Sequence, residues 1–171
     1  AEKMLDNDKF YHLLLDLSKM MTDNGELNFA FEIAQDLINK IESSSNYTEI
    51  HAETESIISK IYWCQAQWEE SEYHCEEAYK LFKLISKQSG YARCENMYGT
   101  LYGEKGDFIK AQEHFKKALT FLNNDEDISL QAMILTNLGI INTITGNFEQ
   151  AIWNHKNSIE NRASTKDDNR R

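Results

Sequence analysis

The sequence predicts an all-α fold of stacked helix-turn-helix units, and three observations carry the prediction. The stretch Gly99–Ala118 recurs forty residues later as Gly139–Ser158, with Gly99, Gly106, Phe108 and Ala111 mapping onto Gly139, Gly146, Phe148 and Ala151. Phe10, Leu13, Leu14, Leu17 and Met21 recur at three- and four-residue steps, the period of an amphipathic helix. The 171 residues include no proline and only seven glycines, so few positions interrupt a helix.

Taken in order, the first apolar run predicts a helix over 6–22, ended by Asp23-Asn24-Gly25. Leu27, Ala30, Ile33, Ala34, Leu37 and Ile41 predict a second over 26–43, and Ala30 stands where Ala111 stands later, marking a degenerate first repeat. Ser43-Ser44-Ser45-Asn46 carries cap chemistry and reads as a connection. Subtracting 40 from Gly99, Phe108, Ala111 and Ala118 gives Ser59, Trp68, Ser71 and Ala78, small or aromatic as the register requires. Helices are therefore expected over 48–65 and 69–87. Ala66-Gln67-Trp68 has no glycine at the turn, which leaves its geometry open. Lys87-Gln88-Ser89-Gly90 leads to helices over 91–104 and 108–123. Asn123-Asn124-Asp125 leads to helices over 128–144 and 148–162, with Asp127 as N-cap and a polar tail over 163–171. The chain is thus expected to be one array of repeats at about 6–43, 48–87, 91–123 and 128–162.

Each recurring residue has a packing reason. Glycine inside a helix costs about 1 kcal/mol relative to alanine, so Gly99 and Gly139 mark a close approach by a neighbouring helix. Ala111 and Ala118, seven apart, share one helix face and fit the same crossing. Gly106 and Gly146 suit the left-handed position that ends a helix, and Asp107 or Asn147 then caps the next. Phe108 and Phe148 are placed to pack beneath the turn.

These residues resemble the tetratricopeptide repeat: a small residue in helix A, Gly-Asp/Asn-aromatic at the turn, then alanines seven apart in helix B. Gly99, Gly106-Asp107-Phe108, Ala111, Phe115 and Ala118 match almost throughout. The second copy matches at Leu138, Gly139, Gly146, Asn147, Phe148 and Ala151, and departs at Asn142, His155 and Ser158. The period is the longer, roughly 40-residue variant rather than the commoner one of about 34. The resemblance implies a right-handed α-solenoid of about four repeats and eight helices. It also implies a concave groove, lined by the A helices, that receives a peptide or protein segment.

At three-, four- and three-residue spacing, the groove side of the A helices is expected to carry His12, Leu15, Lys19 and Thr22 in the first unit. In the second it is expected to carry Glu53, Ser56, Lys60 and Trp63, and in the third Arg93, Asn96, Thr100 and Gly103. In the fourth it is Met133, Thr136, Ile140 and Thr143, with Asn137 beside them. Lys19, Lys60 and Arg93 would place basic groups on an otherwise acidic protein, suited to a peptide carboxylate or acidic side chain, or else simply solvated. Asn137 stands where asparagines of longer-repeat family members clasp peptide backbone, since an amide donates and accepts at once. The family's carboxylate-clamp set is not reproduced.

Lys and Arg total 18 against 28 Asp and Glu, a formal charge of −10, which disfavours phosphate backbones and anionic lipid. Neither a nucleic-acid nor a membrane partner is expected, and no apolar run approaches the roughly 20 residues of a membrane span. Cys64, Cys75 and Cys94 lack C-x-x-C spacing; reduced, half-buried thiols in a cytoplasmic protein are favoured over disulfide or metal roles. His12, His51, His74, His114 and His155 form no H-x-x-x-H pair, and His74 and His114 occupy equivalent places on successive units. No metal, no cofactor and no catalysis are expected: nucleophile elbow, phosphate loop and H-E-x-x-H are all missing. Glu69-Glu70 and Glu76-Glu77 are neighbours that point apart on a helix.

The expected function is a protein–protein interaction module. A regulatory segment of a larger signalling protein is the alternative, since Ile152, Trp153 and Ile159 on the last helix have nothing following to cover them. The opening AEKMLDN likewise reads as a domain edge. The third expectation is self-association, a homo-dimer through that C-terminal repeat.

Overall fold

The computed structural model describes residues 2–41, 45–122 and 127–168, with side chains described between 7 and 163 in those ranges. The connections expected at Ser43-Ser44 and Asn123-Asn124-Asp125, and the side chains of 164–171, lie outside the described residues. Among the described residues there are eight α-helices and no strand: α1 (Glu2–Asp23), α2 (Leu27–Ile41), α3 (Thr48–Cys64), α4 (Trp68–Leu84), α5 (Gln88–Glu104), α6 (Phe108–Thr120), α7 (Ile128–Ile144) and α8 (Phe148–Asp168). A single 3-10 turn, Ser45–Tyr47, precedes α3. The chain divides into two compact units, Ala1–Gly90 and Tyr91–Arg171.

One turn joins the helices of every hairpin. Gly25, Gly106 and Gly146 take φ of 84°, 78° and 78°, and Ala66 takes 58° at the corresponding place. In each turn the residue after the left-handed one reaches back to close the helix, as Gln67 N–H does to the Tyr62 carbonyl and Asp107 N–H to that of Tyr102, both at 2.9 Å. The missing glycine at 66 therefore changes no geometry; alanine carries the left-handed strain instead. That strain costs roughly 1–2 kcal/mol for a residue with a Cβ, against less than 1 kcal/mol of extra unfolded-state freedom for glycine. Ala66→Gly is thus expected to raise stability by about 0.5–1 kcal/mol in urea titration. An unchanged or lower midpoint would mean that Ala66 is not strained.

The small residues sit at close helix crossings. Ser59 and Ser71 hydroxyls each donate to the other's carbonyl at 2.8 Å, binding α3 to α4. Ser18 Oγ donates to the Ala30 carbonyl at 2.9 Å in the first hairpin. A Cβ on Gly99 would stand 2.7 Å from the Phe115 ring, and one on Gly139 2.4 Å from the His155 ring. Ser18, Ser59, Gly99 and Gly139 are thus one position, each twelve residues before a small residue of the partner helix; the first interval is 41 rather than 40. Ala111 and Ala118 are fully buried. Ala111→Leu is expected to cost about 1–3 kcal/mol by overpacking, read as a shift in the denaturation midpoint.

In the first unit the core joins Leu15, Ala30, Leu37, Ile41, Ile50, Ile57 and Ile61, with Tyr11, Leu14, Met21 and Tyr47 packed around them. In the second it joins Ala111, Phe115, Ala118 and Leu122 of the α6 segment to Leu130, Ile134, Leu138 and Ile141 of α7, with Phe108 and Leu119 alongside. Asp107 and Asp127 accept hydrogen bonds from the backbone N–H of Lys110 and Leu130, as N-caps should.

Several expectations are corrected. The Asn147 side chain donates to Thr145 Oγ1 at 3.1 Å rather than capping α8. Phe148 is exposed rather than packed beneath the turn, whereas Phe108 lies against the second core cluster. Helix α5 begins at Gln88, since the left-handed residue before it is Ser86 (φ 54°). Gly90 is therefore a buried helical residue and no part of a linker. Cys75 and Cys94 are buried, whereas Cys64 is exposed. Helix α8 continues to Asp168, into the stretch expected to be a tail.

Candidate functional site

The groove-side positions fall on helices α1, α3, α5 and α7, and each unit presents its own set. In the first unit Lys19 is exposed and Ser56 half-buried, its Oγ donating to the Ala52 carbonyl at 3.0 Å. Lys60 is bound at 2.5 Å by the Asp23 carboxylate, so its charge is already balanced. Trp63 is half-buried, and its Nε1–H meets no acceptor among the described residues. Glu53 is taken by Lys87 at 2.7 Å, and Glu49 binds the same ammonium. Burial lowers the Lys87 pKa, but the hydrogen bonds from Glu49 and Glu53 outweigh it and hold the ammonium above its ordinary value.

Two residues of the first set are not on an open face. Leu15 belongs to the core and Thr22 is buried, its hydroxyl donating to the Ser18 carbonyl at 2.8 Å. The helix is turned so that these positions meet neighbouring helices rather than solvent. The 41-residue first interval leaves the spacing intact, so periodicity could not reveal the burial.

In the second unit Asn137 Nδ2 donates to Asn96 Oδ1 at 2.9 Å, joining α7 to α5. Met133 and Ile140, on the same helix as Asn137, are exposed. Thr100 is half-buried and donates to the Asn96 carbonyl at 2.9 Å. Arg93 Nη2 lies 3.5 Å from the Asp127 carboxylate, so it too has an anionic partner. Thr136 faces α8 instead, sharing a 2.7 Å hydrogen bond with Ser158. Gly103 looks toward Ile141, 3.5 Å from where its Cβ would be. The basic residues expected to meet a ligand carboxylate are thus partnered within the fold where Lys60 and Arg93 are concerned. The amides and apolar side chains of α7 are what the second unit offers.

Sequence reasoning missed a repeated polar pin. His74 Nδ1–H donates to the Glu55 carboxylate at 2.6 Å and its ring stacks on Tyr62, with centroids 5.2 Å apart. Forty residues on, His114 donates to Glu95 at 2.7 Å and stacks on Tyr102 at 5.2 Å. The second Glu55 oxygen faces His51 Nε2 at 3.4 Å; that of Glu95 faces Lys117 Nζ at 2.7 Å. In the fourth hairpin the same places hold Leu135, Asn142 and Asn154. The signal was present: glutamate, tyrosine and histidine all recur at 40.

The pin also makes stability depend on pH. Burial pushes the Glu55 carboxyl up, but hydrogen bonds and charge from His51 and His74 outweigh it and hold the pKa below the ordinary value. A depressed carboxylate stabilises fully above its unfolded pKa, about 4.3 for glutamate, and the contribution is lost as pH falls through the lower folded value. Glu55→Gln is expected to flatten the stability profile below about pH 5. Parallel acid limbs in parent and variant would contradict this.

Among the described residues, no group of three or more His, Cys, Asp or Glu is placed to hold a metal ion. None of their helices is long and apolar enough to cross a membrane.

Repeated antiparallel hairpins, each closed by the same left-handed turn and small-residue crossing, define an α-helical repeat protein of the solenoid class. The tetratricopeptide-repeat family model matches residues 51–124, and that stretch is tetratricopeptide-repeat sequence. No curated protein matches the chain. Among solved structures, BtubC (BKLC) from P. vanneervenii is similar with a TM-score of 0.70 at 21% identity, covering 93% of this chain and 65% of that one. Aspartyl phosphate phosphatase F from Bacillus subtilis gives a TM-score of 0.79 at 13% identity over 93% of this chain and 42% of that one. MamA gives 0.58 at 20% identity over 97% and 86%. The chain thus spans less than two thirds of the first two, and at these identities the likeness is one of fold.

Proposed function

We propose that the chain is a protein-interaction module and that α5 and α7 of the second unit hold an extended peptide segment without changing it chemically. The observation that carries this is the Asn137–Asn96 amide pair, with exposed Met133 and Ile140 on the same helix as Asn137. Their mutual bond uses one donor of Asn137 and one acceptor of Asn96. Asn96 is buried, so the pair fixes the Asn137 side chain, whose half-buried amide remains to bond a peptide backbone. Met133 and Ile140 supply apolar area for alternate peptide side chains. In the first unit Lys19, Ser56, Lys60 and Trp63 are the second candidate set, with Lys19 exposed and Ser56, Lys60 and Trp63 half-buried.

The test is selection of displayed peptides on the immobilised chain, followed by affinity measurement for soluble versions. Asn137→Ala is expected to weaken selected peptides by roughly tenfold, the worth of about 1.4 kcal/mol. Lys60→Glu with Arg93→Glu is expected to have the smaller effect, since both cations are already paired. Peptides whose affinity ignores Asn137→Ala and Met133→Ala would overturn the assignment.

A further inference from the structure

The packing of α7 on α6 has an unused counterpart at each end of the chain. On the α6 side, Phe108 and Leu119 lie against the core cluster and Gln112 donates to Asn142 of α7 at 2.8 Å. Forty residues on, the same three places on α8 are Phe148, Ile152 and Ile159, all apolar and 64%, 69% and 68% exposed. A face that is covered in α6 is bare in α8, and it is more apolar there than in the covered copy.

The helix that covers α6 presents Leu130, Ile134, Leu138 and Ile141. The crossing residues Ser18 and Gly139 set the register between α1 and α7 at 121 residues. Subtracting it gives Lys9, Leu13, Leu17 and Met20 on α1. Leu13 is 63% and Met20 50% exposed, and Phe10 beside them is exposed as well. Helix α1 therefore carries apolar residues at three of the four places of a covering helix, in register, with Leu13 and Met20 exposed and Leu17 half-buried.

We propose that α1 of one copy docks on α8 of a second copy, head to tail, as α7 docks on α6 within each chain. The contact joins two different surfaces, so each chain keeps one free face of each kind. Association is then open-ended unless the rotation between copies closes a ring. This interface is separate from the amide pair of α5 and α7, and each can fail without the other.

Sedimentation velocity on the 171-residue chain reads the result. The weight-average mass is expected to rise with concentration from 19.9 kDa past the dimer. Leu13→Glu and Ile152→Glu are each expected to weaken association by roughly tenfold or more, since each buries a charge at the contact. An equimolar mixture of the two variants is expected to form a capped dimer, because one keeps an intact α8 and the other an intact α1. Both side chains are exposed, so both variants should keep the parent's thermal unfolding; should one fail to fold, Met20→Glu and Ile159→Glu test the same faces. A chain that stays monomeric at high micromolar concentration would overturn the proposal. So would association abolished by Ile152→Glu but untouched by Leu13→Glu, which would mean that α8 meets α8. A mixture of variants that remains monomeric would also overturn it.

Discussion

Glu95→Ala is expected to destabilise the second unit by about 3–5 kcal/mol, measured by urea denaturation, because it removes one partner of a buried charge cluster. Glu95 is only 2% exposed, and its two oxygens receive His114 Nδ1–H and Lys117 Nζ, each at 2.7 Å. Removing the carboxylate leaves an imidazole stacked on Tyr102 without its acceptor and opens a void between α5 and α6. Both donors keep contact with water, which places the expected loss nearer the lower figure. Glu95→Gln keeps the shape and one acceptor, so it should cost less than the alanine variant. The position tolerates neutrality when the whole set changes together: the fourth hairpin has Leu135, Asn142 and Asn154 there. A loss below about 1 kcal/mol for Glu95→Ala would show that the pair is no stronger than a surface ion pair.

Phe82→Ala is expected to cost about 3–5 kcal/mol, the range for emptying a buried aromatic site. Phe82 is fully buried at the end of α4, and a Cβ on Gly90 would stand 2.3 Å from its ring. Register explains the pair. The equivalent positions are Ile41 and Ile50 in the first core cluster and Leu122 and Leu130 in the second. Two medium side chains are replaced at the third site by one large and one absent, at similar total volume. Gly90→Leu alone should therefore overpack and lose about 1–3 kcal/mol or more. Phe82→Leu combined with Gly90→Leu should recover much of the loss, giving a favourable coupling of about 1–3 kcal/mol in a double-mutant cycle. Additive losses would mean that the two residues do not share one site.

The same register separates what could be foreseen from what could not. The eight helices, the small-residue crossings at Ser59, Gly99 and Gly139, and the caps at Asp107 and Asp127 are local or strictly periodic, and the sequence carries them openly. Gly90 was misplaced because a glycine among polar residues looks like a linker when its partner Phe82 is not known to be beside it. Leu15 and Thr22 were placed on an open face because spacing fixes which residues share a side of a helix but not what that side meets. The Glu55 and Glu95 pins escaped because carboxylates usually face water, and only the packed hairpin shows imidazole and carboxylate meeting across it.

By itself, the sequence determined the repeat, its forty-residue period and the glycine turns at Gly25, Gly106 and Gly146, because these depend on backbone preference and on side chains a few residues apart. The tertiary structure decided which polar groups are spent on one another. Lys60 is bound to Asp23 and Arg93 to Asp127, while Asn96 and Asn137 meet across two helices. The physical reason is range. Helix formation and capping act within a turn or two of the chain, whereas charge pairing and desolvation depend on distances that only the packed helices set.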